Sequence, residues 1–98
     1  MTIKELRDNA NLTLFLEGRL DSSTFKELND VLNKDLDGVE YLVIDLEKLE
    51  YVSSAGLRIL LISHKNMSKH GKMVIRNVNE AVMEVFQLTG FHKILTIE

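Results

Sequence analysis

Two adjacent serines, Ser53 and Ser54, stand directly before Ala55 and Gly56 and before the helically spaced residues Leu57, Leu60 and Leu61. A hydroxyl so placed can cap a helix, act as a nucleophile or accept a phosphate. Capping is the commonest of the three and is worth roughly 1 kcal/mol. The small residues that follow leave the first turn open to close approach by another molecule. A helix N-terminus also favours an added anion, so a phosphate on Ser54 is compatible with the fold.

Nucleophilic catalysis needs a base within hydrogen-bond reach, a group that orients the base, and an oxyanion hole. The only histidines are His64, His70 and His92. His64 falls about ten residues into the same helix, roughly 15 Å from Ser54 at 1.5 Å per residue. His70 lies farther on, and His92 follows the next helix. No catalytic residue is assigned. His64 and His70 also lack the i, i+4 spacing that puts two metal ligands on one helical face, so no metal site is assigned and all three read as surface histidines. The carboxylates Asp45, Glu47 and Glu50, with Asp21, are expected near one rim. They alternate with Lys48 and have no phosphate-cradling glycine loop, and Glu47 and Glu50 read as solvated loop charge. For Asp21, capping of the first helix and contact with the serine loop both remain open. Lys65, Lys69, His70 and Lys72 form a modest basic group that complements a helix C-terminus.

The elements that must position these groups follow from periodicity. Thr2 to Arg7 is expected as a strand, reversed by Asp8-Asn9-Ala10-Asn11 into a second strand, Leu12 to Leu16, with Leu12, Leu14 and Leu16 on one face. Gly18 is expected to break that strand. Asp21-Ser22-Ser23-Thr24 then offers N-caps, with Glu27 placed to complete a box from Thr24, for a helix that buries Phe25, Leu28, Val31 and Leu32. Asp37-Gly38 ends it. Tyr41 to Leu46 reads as an interior strand covered on both faces, and Glu47 to Gly56 as a loop. A second helix is expected from Ser54 to about Lys69, stopped by Gly71. Met73 to Ile75 is a further strand. Val78 and Asn79 are a staple and N-cap for a third helix using Val82, Val85 and Phe86, and Gly90 is its C-terminal cap. Ile94 to Ile97 can close the sheet. The pattern is an α/β chain: an antiparallel hairpin edge leading into a mostly parallel sheet of about five strands, with three or more helices.

Composition narrows the function classes. The chain has 98 residues, 45% hydrophobic and 28% charged, which fits one globular domain, 1–98. A formal charge of -3 and a pI near 5.6 give no long-range attraction to nucleic acid or anionic lipid, so neither is an expected partner. The absence of cysteine removes disulfides and thiolate chemistry, and no apolar run is long enough for a signal or a membrane span. A cytoplasmic location is the expectation.

The order of elements, the segment GRLDSST and the segment VIDLEKLEYVSSAGLRILL resemble a STAS domain of the bacterial anti-sigma factor antagonist type, over nearly the whole chain from Thr2. The resemblance implies a STAS-type fold and a protein that is no enzyme and carries no cofactor. It implies a partner that is both anti-sigma factor and ATP-dependent serine kinase, and a serine phosphatase that resets the state. By motif position the phosphorylated serine is Ser54, with Ala55, Gly56 and Leu57 completing the pattern and Asp21 matching the acidic residue of the neighbouring loop. The position before the acceptor is often aspartate in the family and is Ser53 here, which makes Ser53 the second candidate. Partner contacts are expected at Asp21, Ser53, Ala55, Gly56, Tyr51 and Arg58. The alternative is the same fold without a phosphorylation cycle, as a subunit of a transporter or stress-signalling scaffold. Oligomeric state is left open.

Overall fold

The computed structural model describes residues 1–98, the side chain of Asp35 apart. The elements follow in the order β1 (Thr2–Asp8), β2 (Asn11–Leu20), α1 (Phe25–Asp35), β3 (Tyr41–Val52), α2 (Ser54–Met67), β4 (Lys72–Arg76), α3 (Glu80–Thr89) and a 3-10 turn (Phe91–Lys93). The sheet has the order β1-β2-β3-β4, with β1 antiparallel to β2 and the other pairs parallel. The hairpin turns at Asn9, whose left-handed φ of 56° asparagine tolerates better than most residues. The fifth strand is reduced to one parallel bridge between Ile75 and Ile97, flanked by Ile75 N to Thr96 O at 2.8 Å and Glu98 N to Ile75 O at 2.9 Å.

Alternation places Leu12, Leu14 and Leu16 of β2, Leu42 and Ile44 of β3, and Met73 and Ile75 of β4 on one face. Leu28 and Leu32 of α1, Leu57 and Leu60 of α2, and Val82 and Phe86 of α3 join the same cluster. One face of the sheet therefore carries all three helices. Among the described residues no helix is long and apolar enough to cross a membrane.

Two strands run farther than their sequence suggests. Gly18 does not end β2; it adopts φ 103° inside the strand, next to an irregularity in the pairing with β3. β3 does not stop at Leu46 but runs to Val52, so most of the expected loop from Glu47 to Gly56 is strand. Between the pairs Phe15–Asp45 and Arg19–Tyr51, β2 advances four residues and β3 advances six, so β3 bulges twice. The bulges turn a period of two into a period of three, and Leu46, Leu49 and Val52 all remain buried.

The helix boundaries also shift. α2 ends at Met67 rather than near Lys69, and the amide of Gly71 closes the turn on Met67 O at 2.7 Å. Asn79 caps α3 as expected, its Oδ1 accepting from Val82 N at 2.9 Å, while its Nδ2 donates to Leu49 O at 2.6 Å. Thr24 makes no side-chain cap to α1, so the expected box with Glu27 does not form.

Candidate functional site

β2 and β3 are adjacent, parallel and end together: Leu20 pairs with Val52, and Ser53 N donates to Leu20 O at 2.9 Å. The segments that follow, Asp21–Thr24 and Ser53–Gly56, thus emerge on one rim. This is the carboxyl end of the parallel strands, where open α/β sheets place their sites.

The two serines divide the work of that rim. Ser53 is extended, at φ -97° and ψ 179°, and its Oγ accepts from Gly56 N at 3.4 Å, which makes it the N-cap of α2. Ser54 is the first helical residue and is exposed, and its hydroxyl has no hydrogen-bond partner among the described residues. Ala55 is half-buried. Gly56 is buried, which corrects its expected role as an open partner surface. A Cβ there would lie 2.7 Å from Leu20 Cγ, 2.8 Å from Leu20 O and 2.9 Å from Val52 Cγ2. The glycine lets the helix touch the sheet.

Asp21 organises the neighbouring turn. Its Oδ1 accepts from Ser23 N at 2.9 Å, Ser23 Oγ at 2.7 Å and Thr24 N at 3.2 Å. The Ser23 hydroxyl and then the Ser23 amide hold the Asp21 carboxyl below the ordinary carboxylate value; desolvation opposes them, and the Thr24 hydroxyl and amide add smaller effects in the lowering direction. Thr24 Oγ1 donates to Arg19 O at 2.8 Å and accepts from Asp21 N at 3.0 Å. Asp21 shows no hydrogen bond to Ser53 or Ser54 and does not cap α1 either, whose N-cap position is Thr24; its carboxylate closes the turn that precedes the helix.

Tyr51 and Arg58 are exposed. Tyr51 carries the Arg19 guanidinium, 4.3 Å from its ring centroid, and Arg19 Nε also lies 3.6 Å from Asp21 Oδ2. Nothing in the sequence alone singles out Arg19, which follows a glycine expected to break the strand and lies two positions before Asp21. Its cross-strand pairing with Tyr51 is the signal that strand continuation would have supplied.

The expected rim of carboxylates is corrected. Asp45 is buried within the sheet, paired with Phe15 and Arg76. Its Oδ1 accepts from Glu47 N at 3.0 Å and its Oδ2 from Asn77 Nδ2 at 2.8 Å, so it pins the first bulge of β3 to the turn after β4. Glu47 and Glu50 are exposed strand residues rather than loop residues. His64 is corrected too: it is half-buried, and its Nδ1 is sealed from solvent without a partner among the described residues. His70 and His92 are exposed, and His92 Nδ1 lies 3.2 Å from Phe86 O. Among the described residues no group of three or more His, Cys, Asp or Glu could hold a metal. A cavity of about 330 Å³, bordered by Lys4, Phe15 and Lys48, includes neither serine.

Comparison with known proteins matches this architecture. Residues 2–98 match the STAS domain family. A Bordetella bronchiseptica protein, BtrV, provisionally described as an anti-sigma factor antagonist, is 34% identical over 84 residues, covering 84% of this chain and 72% of its own. The crystal structure of an anti-sigma factor antagonist from Mycobacterium paratuberculosis superposes with a TM-score of 0.88 at 24% identity, covering 98% of this chain and 83% of that one. The Bacillus cell-fate determinant SpoIIAA in its phosphorylated form superposes with a TM-score of 0.68 at 16% identity, covering 99% and 91%. The mixed four-stranded sheet with its three helices thus defines a small α/β domain with the fold of these proteins. The chain belongs to the STAS domain family.

Proposed function

We propose that this chain is an anti-sigma factor antagonist controlled by phosphorylation of Ser54. With Ser54 unmodified, its rim docks on an anti-sigma factor that is also an ATP-dependent serine kinase and displaces the sigma factor. The kinase then phosphorylates Ser54 and the complex separates; a serine phosphatase restores the docking form. The chain performs no chemistry in this cycle, which runs in the cytoplasm, and ATP belongs to the partner.

The observation that carries this reading is the division between the two hydroxyls. Ser53 Oγ is committed to Gly56 N, whereas the Ser54 hydroxyl is exposed and uncommitted on the first turn of α2. A kinase can take Ser54 without dismantling the cap. The phosphate adds about 1.5 to 2 negative charges and a strongly hydrated group to a surface that must shed water on docking. A loss of about 3 kcal/mol weakens binding roughly a hundredfold, enough to reverse a competition. Asp21, Tyr51 and Arg58 border the acceptor and supply the surrounding contacts.

The test is site-localised mass spectrometry of the protein from its native host beside a Ser54→Ala variant. A phosphate on Ser54 that vanishes in the variant supports the cycle. Its absence across growth phases and stress would remove the cycle and leave the transporter or scaffold subunit as the reading to pursue.

A further inference from the structure

The charge of this chain is divided unevenly. The span from Tyr51 to Asn79 contains five of the twelve lysine and arginine residues and none of the fifteen acids, so it carries +5 against -8 for the remainder. α2 lies wholly inside this acid-free span. At 3.6 residues per turn, positions 54, 58, 62 and 65 fall within an arc of roughly 80°. Ser54, Arg58, Ile62 and Lys65 are all exposed, while Gly56, Ile59, Leu60, Ser63 and Met67 are buried on the other side of the helix. Ile62 is 45% exposed, an apolar side chain set between two cations. Lys69 is also exposed, in the turn after the helix. Among the described residues none of Arg58, Lys65 and Lys69 takes part in an ion pair.

We propose that the outward stripe of α2, Arg58-Ile62-Lys65, is a docking surface for an acidic segment of a partner protein, with Ile62 as its apolar anchor and Arg58 as the cation that Ser54 phosphorylation withdraws. The last clause rests on the proposed phosphorylation; the docking surface does not. Charge complementarity selects an acidic occupant. The exposed isoleucine at the centre of the cations favours a protein segment with an apolar side chain over a phosphate backbone. The net charge of -3 further disfavours a long polyanion, which would meet the acidic remainder of the surface. Ser54 and Arg58 stand one turn apart, the i, i+4 spacing at which a helical acid and base interact. A phosphate on Ser54 therefore occupies Arg58 from within the chain and repels the partner's carboxylates at the same point. The modification removes a contact as well as adding bulk.

The test uses the full chain, labelled with nitrogen-15, and a synthetic helical peptide with five glutamates and two leucines on one face. The expected result is movement of the amide signals of Arg58, Ile62 and Lys65, with binding that weakens as salt rises. The double variant Arg58→Glu/Lys65→Glu should lose roughly tenfold or more in affinity, while Lys4→Glu, on the helix-free face of the sheet, should not. The same peptide with glutamine in place of glutamate should bind poorly. No movement along α2 at millimolar peptide overturns the proposal. So does tighter binding of a short DNA duplex to the same residues, or concentration-dependent self-association through them without peptide. Ser54→Asp should weaken the peptide. If the stripe binds and native Ser54 carries no phosphate, docking stands and the switch falls. If phosphate is found and the stripe is silent, the switch stands and this surface falls.

Discussion

The amide of Ser53 donates to the carbonyl of Leu20 across 2.9 Å, so the last ladder bond between β2 and β3 is made by the residue that caps α2. Strand end, helix cap and first helical residue are thus the consecutive residues Val52, Ser53 and Ser54. The same Leu20 carbonyl would lie 2.8 Å from a Cβ on Gly56, one turn into the helix. Position and packing at the rim are thus set by a single backbone group.

Gly56→Ala tests that packing. The added methyl meets backbone oxygen and two buried side chains, none of them a flexible tip. The expected cost is about 1 to 3 kcal/mol, the range for overpacking a close-packed site. Urea unfolding checks it: the midpoint should fall with the slope unchanged. An unshifted midpoint would show that α2 can lift from Leu20 at no cost.

The serine pair should separate by experiment. Ser53→Ala removes the cap of α2 and should cost about 1 kcal/mol of stability while leaving Ser54 available for modification. Ser54→Ala, at an exposed position without a hydrogen bond, should change stability by less than about 0.5 kcal/mol and abolish phosphorylation. Thermal unfolding and phosphate mapping of both variants decide the matter; a larger loss from Ser54→Ala would reverse the assignment of cap and acceptor.

Asp21 gives a pH dependence with a definite sign. Its folded pKa lies below the ordinary value because the Ser23 hydroxyl and amide and the Thr24 groups stabilise the carboxylate. A depressed carboxyl pKa contributes stability that is present above the unfolded pKa of about 3.9 and is lost as pH falls through the folded value. Asp21→Asn should therefore be less stable than the parent at pH 6, and the gap should begin to narrow near the unfolded pKa and close only as pH falls through the lower folded value. Denaturation midpoints measured from pH 6 to pH 2 check this; a gap that stayed constant would place the effect in geometry rather than charge.

Much of this fold can be read from period alone, because β2 alternates cleanly at Leu12, Leu14 and Leu16 and Asn79 announces the start of α3. What could not be read lies where an extra residue breaks the period. After Asp45 the apolar residues of β3 recur every third position, Leu46, Leu49 and Val52, which matches neither a strand nor a helix without knowledge of the bulges. Gly18 has the same cause: a strand breaker and a glycine beside a strand irregularity look alike until the pairing partner is known. Asp45 reads as rim charge in the sequence because one of its two hydrogen-bond partners, Asn77 Nδ2, is 32 positions away, the other being Glu47 N. That Asp21 and the serines share one rim is legible from the sequence, since it needs only that β2 and β3 be adjacent and parallel. The burial of Gly56 and the Arg19–Tyr51 stack are not, since both depend on tertiary neighbours.

Asp45 is the buried carboxylate whose removal should be felt without touching the serines. Asp45→Ala leaves Asn77 Nδ2 and the Glu47 amide without their acceptor, at a cost of about 1 to 3 kcal/mol. Asp45→Asn keeps one oxygen and should fall between the two. Unfolding midpoints of the pair, with Ser54 phosphorylation followed in parallel, check the expectation that stability falls and modification persists. If Asp45→Ala blocked phosphorylation at full stability, the carboxylate would belong to the partner surface and not to the sheet.

Phosphorylation itself should leave the fold intact. A phosphate on Ser54 sits in the first turn of α2, whose first turn carries no acid of its own, and should stabilise the helix by about 0.3 to 1 kcal/mol at low ionic strength. The gain should shrink between 0.05 and 0.5 M salt, roughly as screening shortens the reach of an exposed charge. A phosphate on Ser53 would act in the opposite direction, because that oxygen accepts the Gly56 amide from a half-buried position with Leu20 and Val52 beside it. Unfolding temperatures of the singly phosphorylated protein at two salt concentrations therefore identify the modified residue from its effect on stability. A phosphoprotein less stable than its unmodified form at low salt would point to Ser53, and the free hydroxyl of Ser54 would lose its place in the switch.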